Sequence, residues 1–162
     1  MTIPFRIGVG FDAHAFALDR PLILAGVKLR DHDGLTGHSD ADVVIHVIID
    51  ALLGAANLGD IGRSFPDTDP AYRNIDSREL LRLSLAKLKS SGWRVGNVDV
   101  SVIAERPKIA PHAEAMCREL APLLGVSTDA VSIKGTTTEK LGFAGREEGI
   151  AAMAVALIVR VE

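Results

Sequence analysis

The sequence predicts an α+β fold, layered in the α/β manner, with one β-sheet packed against helices in a single domain, residues 1–162. Three observations lead there. A chain of 162 residues, 48% of them hydrophobic, matches one ordinary domain with one core. Aromatic residues make up only 4%, whereas Ala, Val, Leu and Ile are abundant, so the core is packed from small aliphatic side chains on closely spaced elements. Segments with a two-residue apolar period alternate with segments of helical period, as strands and helices sharing one sheet do.

Taken in order, Phe5 to Phe11 reads as a first strand, and Leu22 to Leu29, after a short turn at Asp19 to Pro21, as a second that forms a hairpin-like pair with it. A loop with Gly and Asp, Arg30 to Ser39, leads into a long apolar helix, Asp40 to Leu58, with Asp40 placed to cap it. Gly59 to Ile75 holds Gly, Pro and several Asp without a period and reads as a long loop. Asp76 to Ser91 is a second helix, stopped by Gly92. Val98, Val100, Val102 and Ala104 alternate with Asp99, Ser101, Ile103 and Glu105, which predicts a strand with one strongly apolar face. Pro111 to Leu124 is a third helix, with Pro in its first turn and Gly125 at its end. Val131 to Thr137 and Ile150 to Val161 are the last strands. The final one is almost continuously apolar, as suits either a subunit contact or a central strand.

Several classes of function are disfavoured. A net charge of -3, with acids and bases mixed throughout, gives no basic field for nucleic acid. The lone Cys117 provides no disulfide framework and reads as a small buried side chain on a helix, compatible with a reducing compartment. No apolar run approaches the roughly 20 residues of a membrane helix, and no signal segment stands at the start, so a soluble, unprocessed, cytoplasmic protein is expected.

The chemistry starts from Asp12 and His14, two apart at a strand end and so projecting to one side. An Asx turn beside a surface histidine would read the same way. The long helix, apolar nearly everywhere, breaks at Asp42, His46, Asp50 and Gly54, four residues apart, a polar stripe that must meet a partner, an ion or a wet cleft. A core histidine bonded to Asp42 or Asp50 is one reading of His46. Ligation together with Asp12 and His14 is the other, and two imidazoles with one carboxylate suit a catalytic zinc with an open position. Gly37-His38-Ser39-Asp40, just ahead of the helix, favours a nearby anion or simply a cap. The acids of Gly59-Asp60-Ile61-Gly62 and Phe65-Pro66-Asp67-Thr68-Asp69 suit sugar hydroxyls or a supporting shell for a histidine. Lys134 to Phe143, with consecutive threonines, and Arg146 suit phosphate oxygens, with Glu139 available to a second hard cation.

The motifs Gly10-Phe11-Asp12-Ala13-His14, Gly37-His38-Ser39-Asp40-Ala41-Asp42, Asp50 to Ala55, Gly59-Asp60-Ile61-Gly62, Phe65-Pro66-Asp67-Thr68-Asp69 and Thr136 to Phe143 follow one another along the chain. Their combination resembles the 2-C-methyl-D-erythritol 2,4-cyclodiphosphate synthase family of non-mevalonate isoprenoid biosynthesis, across essentially the whole chain. The resemblance implies a lyase that converts 4-diphosphocytidyl-2-C-methyl-D-erythritol 2-phosphate to the cyclic diphosphate and releases CMP. It also implies a homotrimer with sites between subunits. On this reading Zn2+ is held by Asp12, His14 and His46, Mg2+ or Mn2+ by Glu139 with the substrate phosphates, and His38 and Thr137 align the reacting groups. Ser39, Asp60, Gly62 and Asp67 would line the erythritol side, with Ile61, Phe65 and Asp69 also among the substrate-binding residues. Ala104, Glu105, Arg106, Pro107, Lys108, Gly135 and Thr136 would receive cytidine, and Thr138, Phe143 and Arg146 complete the binding set. In relatives the arginine at the Arg146 position helps hold an isoprenoid diphosphate in a central cavity. Here Glu147 stands where the family usually has Gly, an acid expected to weaken that binding. A zinc-dependent phosphohydrolase and a trimeric binding protein with a structural metal are the alternatives.

Overall fold

Strand-forming residues from the two ends of the chain pair with each other. In the computed structural model, which describes residues 3–161, β1 (Phe5–Ala17) lies antiparallel to β7 (Gly149–Arg160). Met1, Thr2 and Glu162, ends of the predicted domain, lie outside the described residues. β5 (Trp93–Ile103) pairs antiparallel with the other edge of β7 and parallel with β6 (Val131–Thr136). The short β4 (Gly34–Leu35) pairs with the far end of β1, which gives a mixed five-stranded sheet in the order β4-β1-β7-β5-β6.

One face of this sheet is covered by helices. α1 (Val43–Ala56) packs across β1 and β7, and its closeness depends on glycine. A Cβ on Gly8 would stand 1.9 Å from the Ala51 carbonyl oxygen, and one on Gly10 2.1 Å from that of Val47. After the short α2 (Ile61–Ser64), α3 (Ser77–Ser90) packs beside α1 and α4 (Ala110–Leu124) against β6. The core is formed by α1 together with Val98, Val100 and Val102 of β5 and Ile150, Ala152, Ala154, Ala156 and Ile158 of β7. A last short helix, α5 (Gly142–Gly145), precedes β7. Among the described residues nothing covers the opposite sheet face, on which Ile7, Val9, Phe11, Met153 and Val155 are exposed.

Several boundaries differ from expectation. Leu22 to Leu29 is not one strand paired with the first. Ala25 and Gly26 take positive φ angles of 55° and 75° and fold it into a separate hairpin, β2 (Leu22–Leu24) with β3 (Val27–Arg30). Asp42, not Asp40, caps α1, its carboxylate accepting from the Ile45 N–H at 3.1 Å. β5 begins at Trp93, earlier than expected, because an irregularity between Val95 and Asn97 breaks the alternation that marks a strand. The long loop from Gly59 carries α2 and a 3-10 turn, Pro70–Tyr72.

Candidate metal centre

β1 continues through Asp12 and His14, so both side chains leave the same face of the strand, toward His46 on α1. One ligand atom from each lies within 4.8 Å of the others, the only such group found among the described residues. His14 Nδ1 donates to the Thr36 carbonyl at 2.6 Å, which leaves Nε2 unprotonated in the neutral ring, 2.8 Å from Asp12 Oδ2 and 3.2 Å from His46 Nδ1. His46 Nδ1 is also 3.2 Å from Asp12 Oδ2. Two ring nitrogens and a carboxylate oxygen at such distances suit a shared cation, and the donor set fits zinc. Burial opposes charge on Asp12, but in the metal-free site hydrogen bonding to the two imidazoles in their protonated form outweighs it and holds the carboxyl well below its ordinary range. Burial likewise opposes charge on His14, and the Asp12 hydrogen bond outweighs it, so that imidazole is raised.

The triad lies in a cavity of about 500 Å³ lined also by Gly37, His38, Ser39, Ile61, Gly62, Phe65, Asp67 and Tyr72. His38 Nε2 bonds the Asp69 carbonyl at 3.2 Å. The remaining acids of the loop shape its wall. Asp60 caps α2 through the Arg63 N–H at 2.7 Å, Asp69 caps the 3-10 turn through the Ala71 N–H at 2.9 Å, and Asp50 of α1 accepts from the Ile61 N–H at 2.8 Å. Asp42, by contrast, does not share the cleft expected for the polar stripe. It is fully buried under the hairpin turn, accepting from the Ala25 and Gly26 N–H groups at 2.9 and 2.7 Å.

The other predicted residues form a separate group. Ala104, Pro107, Lys108, Gly135, Thr136 and Thr137 line a cavity of about 190 Å³ that shares no residue with the first. The Thr137 hydroxyl donates to Glu139 at 3.1 Å, the Thr138 hydroxyl to the Leu141 carbonyl at 2.6 Å, and the Lys140 N–H to Glu105 at 3.2 Å. Glu139 stands outside the triad cluster. Phe143 flanks a third cavity, with Ala13, His14, Ala15 and Glu148. Arg146 pairs with Glu148 at 3.0 Å, while Glu147, at a positive φ of 58°, turns instead to Arg106 at 2.5 Å. Three strand intervals separate β1 from β6, a distance of roughly 14 Å.

Sequence reasoning missed Ser77, whose hydroxyl lies 3.1 Å from His46 Nε2 and donates to Asp40, and Tyr72, which stacks edge-on against Phe65 at 5.3 Å. An Asp-Ser pair opening a helix reads as nothing more than a cap.

A family model described as the YgbB family matches residues 5–159. A 2-C-methyl-D-erythritol 2,4-cyclodiphosphate synthase of Bordetella avium is 56% identical over 160 residues, 99% of each chain, and one of Azoarcus sp. is 56% identical over 162 residues, all of both. Among solved structures, a Plasmodium falciparum relative in complex with CDP aligns at a TM-score of 0.85 with 32% identity, covering 100% of both chains. The bifunctional IspDF of Campylobacter jejuni aligns at 0.95 with 42% identity over 99% of this chain, which spans 44% of that longer one.

Proposed function

The chain belongs to the YgbB family and has its 2-C-methyl-D-erythritol 2,4-cyclodiphosphate synthase activity, a lyase step of non-mevalonate isoprenoid biosynthesis, and from that premise we propose how its residues divide the work. Asp12, His14 and His46 would hold zinc, and Glu139 would help hold Mg2+ or Mn2+ with the substrate phosphates. When bound, these ions neutralise phosphate charge and polarise phosphorus toward attack. An oxygen of the 2-phosphate then forms a bond to the β-phosphorus while the bond to the cytidylyl phosphate breaks, and CMP leaves with that electron pair. A phosphate monoester, with its second pKa near 6, is already largely ionised at neutral pH, so no strong general base is required. What the reaction demands is in-line alignment and fixed donors. His38 and Thr137 supply them. Asp60, Ile61, Gly62, Phe65, Asp67 and Asp69 wall the erythritol side and exclude water that would hydrolyse the diphosphate.

Because the metal-side and threonine-side cavities of one chain share no residue, we assign the cytidine end, at Ala104 to Lys108 with Gly135 and Thr136, to a neighbouring subunit. The working unit is then a homotrimer in the cytosol. The CDP bound by relatives supports a nucleotide subsite of this kind.

The observation carrying this reading is the convergence of the three ligand atoms within 4.8 Å. Its test is His46→Ala. The variant is expected to remain folded, to lose stoichiometric zinc, and to fall at least about 100-fold in CMP release. Phosphorus NMR of the wild-type product should show a cyclic diphosphate, and free monophosphates instead would favour a hydrolase. Normal turnover by the variant would remove the metal from the mechanism.

A further inference from the structure

We propose that Asp40 and Ser77 form a positioning relay that fixes the tautomer of His46 and so presents Nδ1, not Nε2, to the metal. The proposal rests on the metal triad and extends it into the protein behind it. Asp40 is half-buried and the groups it backs are enclosed. Ser77, the first residue of α3, has no exposed surface, and Ser39 and His46 are buried. The Asp40 carboxylate accepts from three donors, the Ser77 hydroxyl, the Ser77 N–H at 3.0 Å and the Asp42 N–H at 3.2 Å. An ionised carboxylate can only accept, so the Ser77 proton is directed at Asp40. The lone pairs of Ser77 Oγ are then left for His46 Nε2, 3.1 Å away, and that nitrogen must be the donor.

With the proton on Nε2, the neutral ring has its free lone pair on Nδ1, the atom 3.2 Å from both Asp12 Oδ2 and His14 Nε2. His14 is oriented in the same sense by a different group, the Thr36 carbonyl, which takes its Nδ1 proton. Both imidazoles thus meet the cation with a preset lone pair, and the entropy and tautomer preference lost on ligation fall. Ser39 Oγ is also 3.1 Å from His46 Nε2, but it already accepts from the Ala41 N–H at 3.2 Å and lines the substrate cavity. Ser77 has no such exposure to substrate. It is the member of the pair backed by a carboxylate.

The relay also ties the first residue of α3 to the loop before α1, at one end of two helices that already pack together. Asp40 lies in the loop before α1 and is held by donating its N–H to the Ile75 carbonyl at 3.1 Å, while Ser77 opens α3. A shift of the α3 terminus is therefore transmitted to a metal ligand on α1.

Two measurements test this. In zinc-loaded wild-type protein labelled with 15N-histidine, the His46 ring is expected to show a protonated Nε2 and a metallated Nδ1. The reverse assignment overturns the relay and needs no variant. In Ser77→Ala, zinc affinity measured by chelator competition should fall about 10- to 100-fold, the usual effect of removing a partner behind a metal ligand, while the metal-free variant unfolds cooperatively within a few degrees of metal-free wild type. Unchanged affinity would mean that Ser39 alone holds the ring, and the proposal fails. Absence of zinc binding by the wild type would instead sink the triad itself, a result distinct from either.

Discussion

Asp42 shows how a side chain without contact to substrate can govern a site. Its carboxylate is fully buried and bonded only to backbone N–H groups, those of Ala25, Gly26 and Ile45, so it clamps the β2–β3 turn to the start of α1. Burial pushes its pKa up to about 6, against the lowering effect of the N–H donors. A carboxyl whose folded pKa exceeds its unfolded value, 3.8, favours folding most below that value. That contribution is lost as pH rises through the folded value, by about 3 kcal/mol in all. Urea unfolding in chelator should therefore show the stability of wild type, relative to Asp42→Asn, falling by about 2 kcal/mol from pH 4 to pH 7. A difference independent of pH would refute the clamp's buried charge. From sequence, Asp40 and Asp42 are indistinguishable as caps, because both precede the apolar run. Only the hairpin folding back over Asp42 separates their roles, and that contact is nonlocal. Asp12, His14 and His46 were legible for the opposite reason, since strand and helix periods alone decide which way they point.

At the scale of elements, α1 against β1 is the contact that brings His46 to the other ligands, and glycine permits it. An alanine at Gly10 would drive its Cβ to 2.1 Å from a backbone oxygen of the helix, one residue beyond His46. Backbone cannot yield as a flexible side chain does, so Gly10→Ala should cost about 3 kcal/mol or more in unfolding free energy and weaken zinc binding with it. Gly54, on the same helix, is the control. A Cβ there meets nothing within 4 Å, and Gly54→Ala should stabilise by about 0.5–1 kcal/mol through helix propensity. Equal effects of the two substitutions would rule out the packing argument. The helix itself was readable from its apolar density, as were α3 and α4 from their caps. The β2–β3 hairpin was not, because Ala25 carries no turn signal and the flanking residues read as one continuous apolar strand.

For the whole molecule, the decisive feature is the uncovered sheet face. On β1, residues facing α1 are Gly8 and Gly10, whereas Ile7, Val9 and Phe11 on the other side are 60–63% exposed. Register places these apolar residues opposite others, Ile7 across from Leu157, Val9 from Val155 and Phe11 from Met153. A cross-strand apolar patch of this extent is the mark of an interface. The near-continuous hydrophobicity of the last strand had two readings, a central strand or a subunit contact. β7 lies between β1 and β5, which makes it a central strand, and its second face belongs to the open side of the sheet, where a subunit contact would have to form. If the proposed trimer closes over this face, a charge placed within it should separate the two halves of the active site without touching the metal. Val9→Asp is expected to sediment as a monomer and to lose turnover by at least about 100-fold. It should still bind zinc with near wild-type affinity, because Asp12, His14 and His46 all belong to one chain. An active monomer would show that one subunit carries a complete site, whereas loss of zinc together with assembly would mean that the triad depends on its neighbours for its shape.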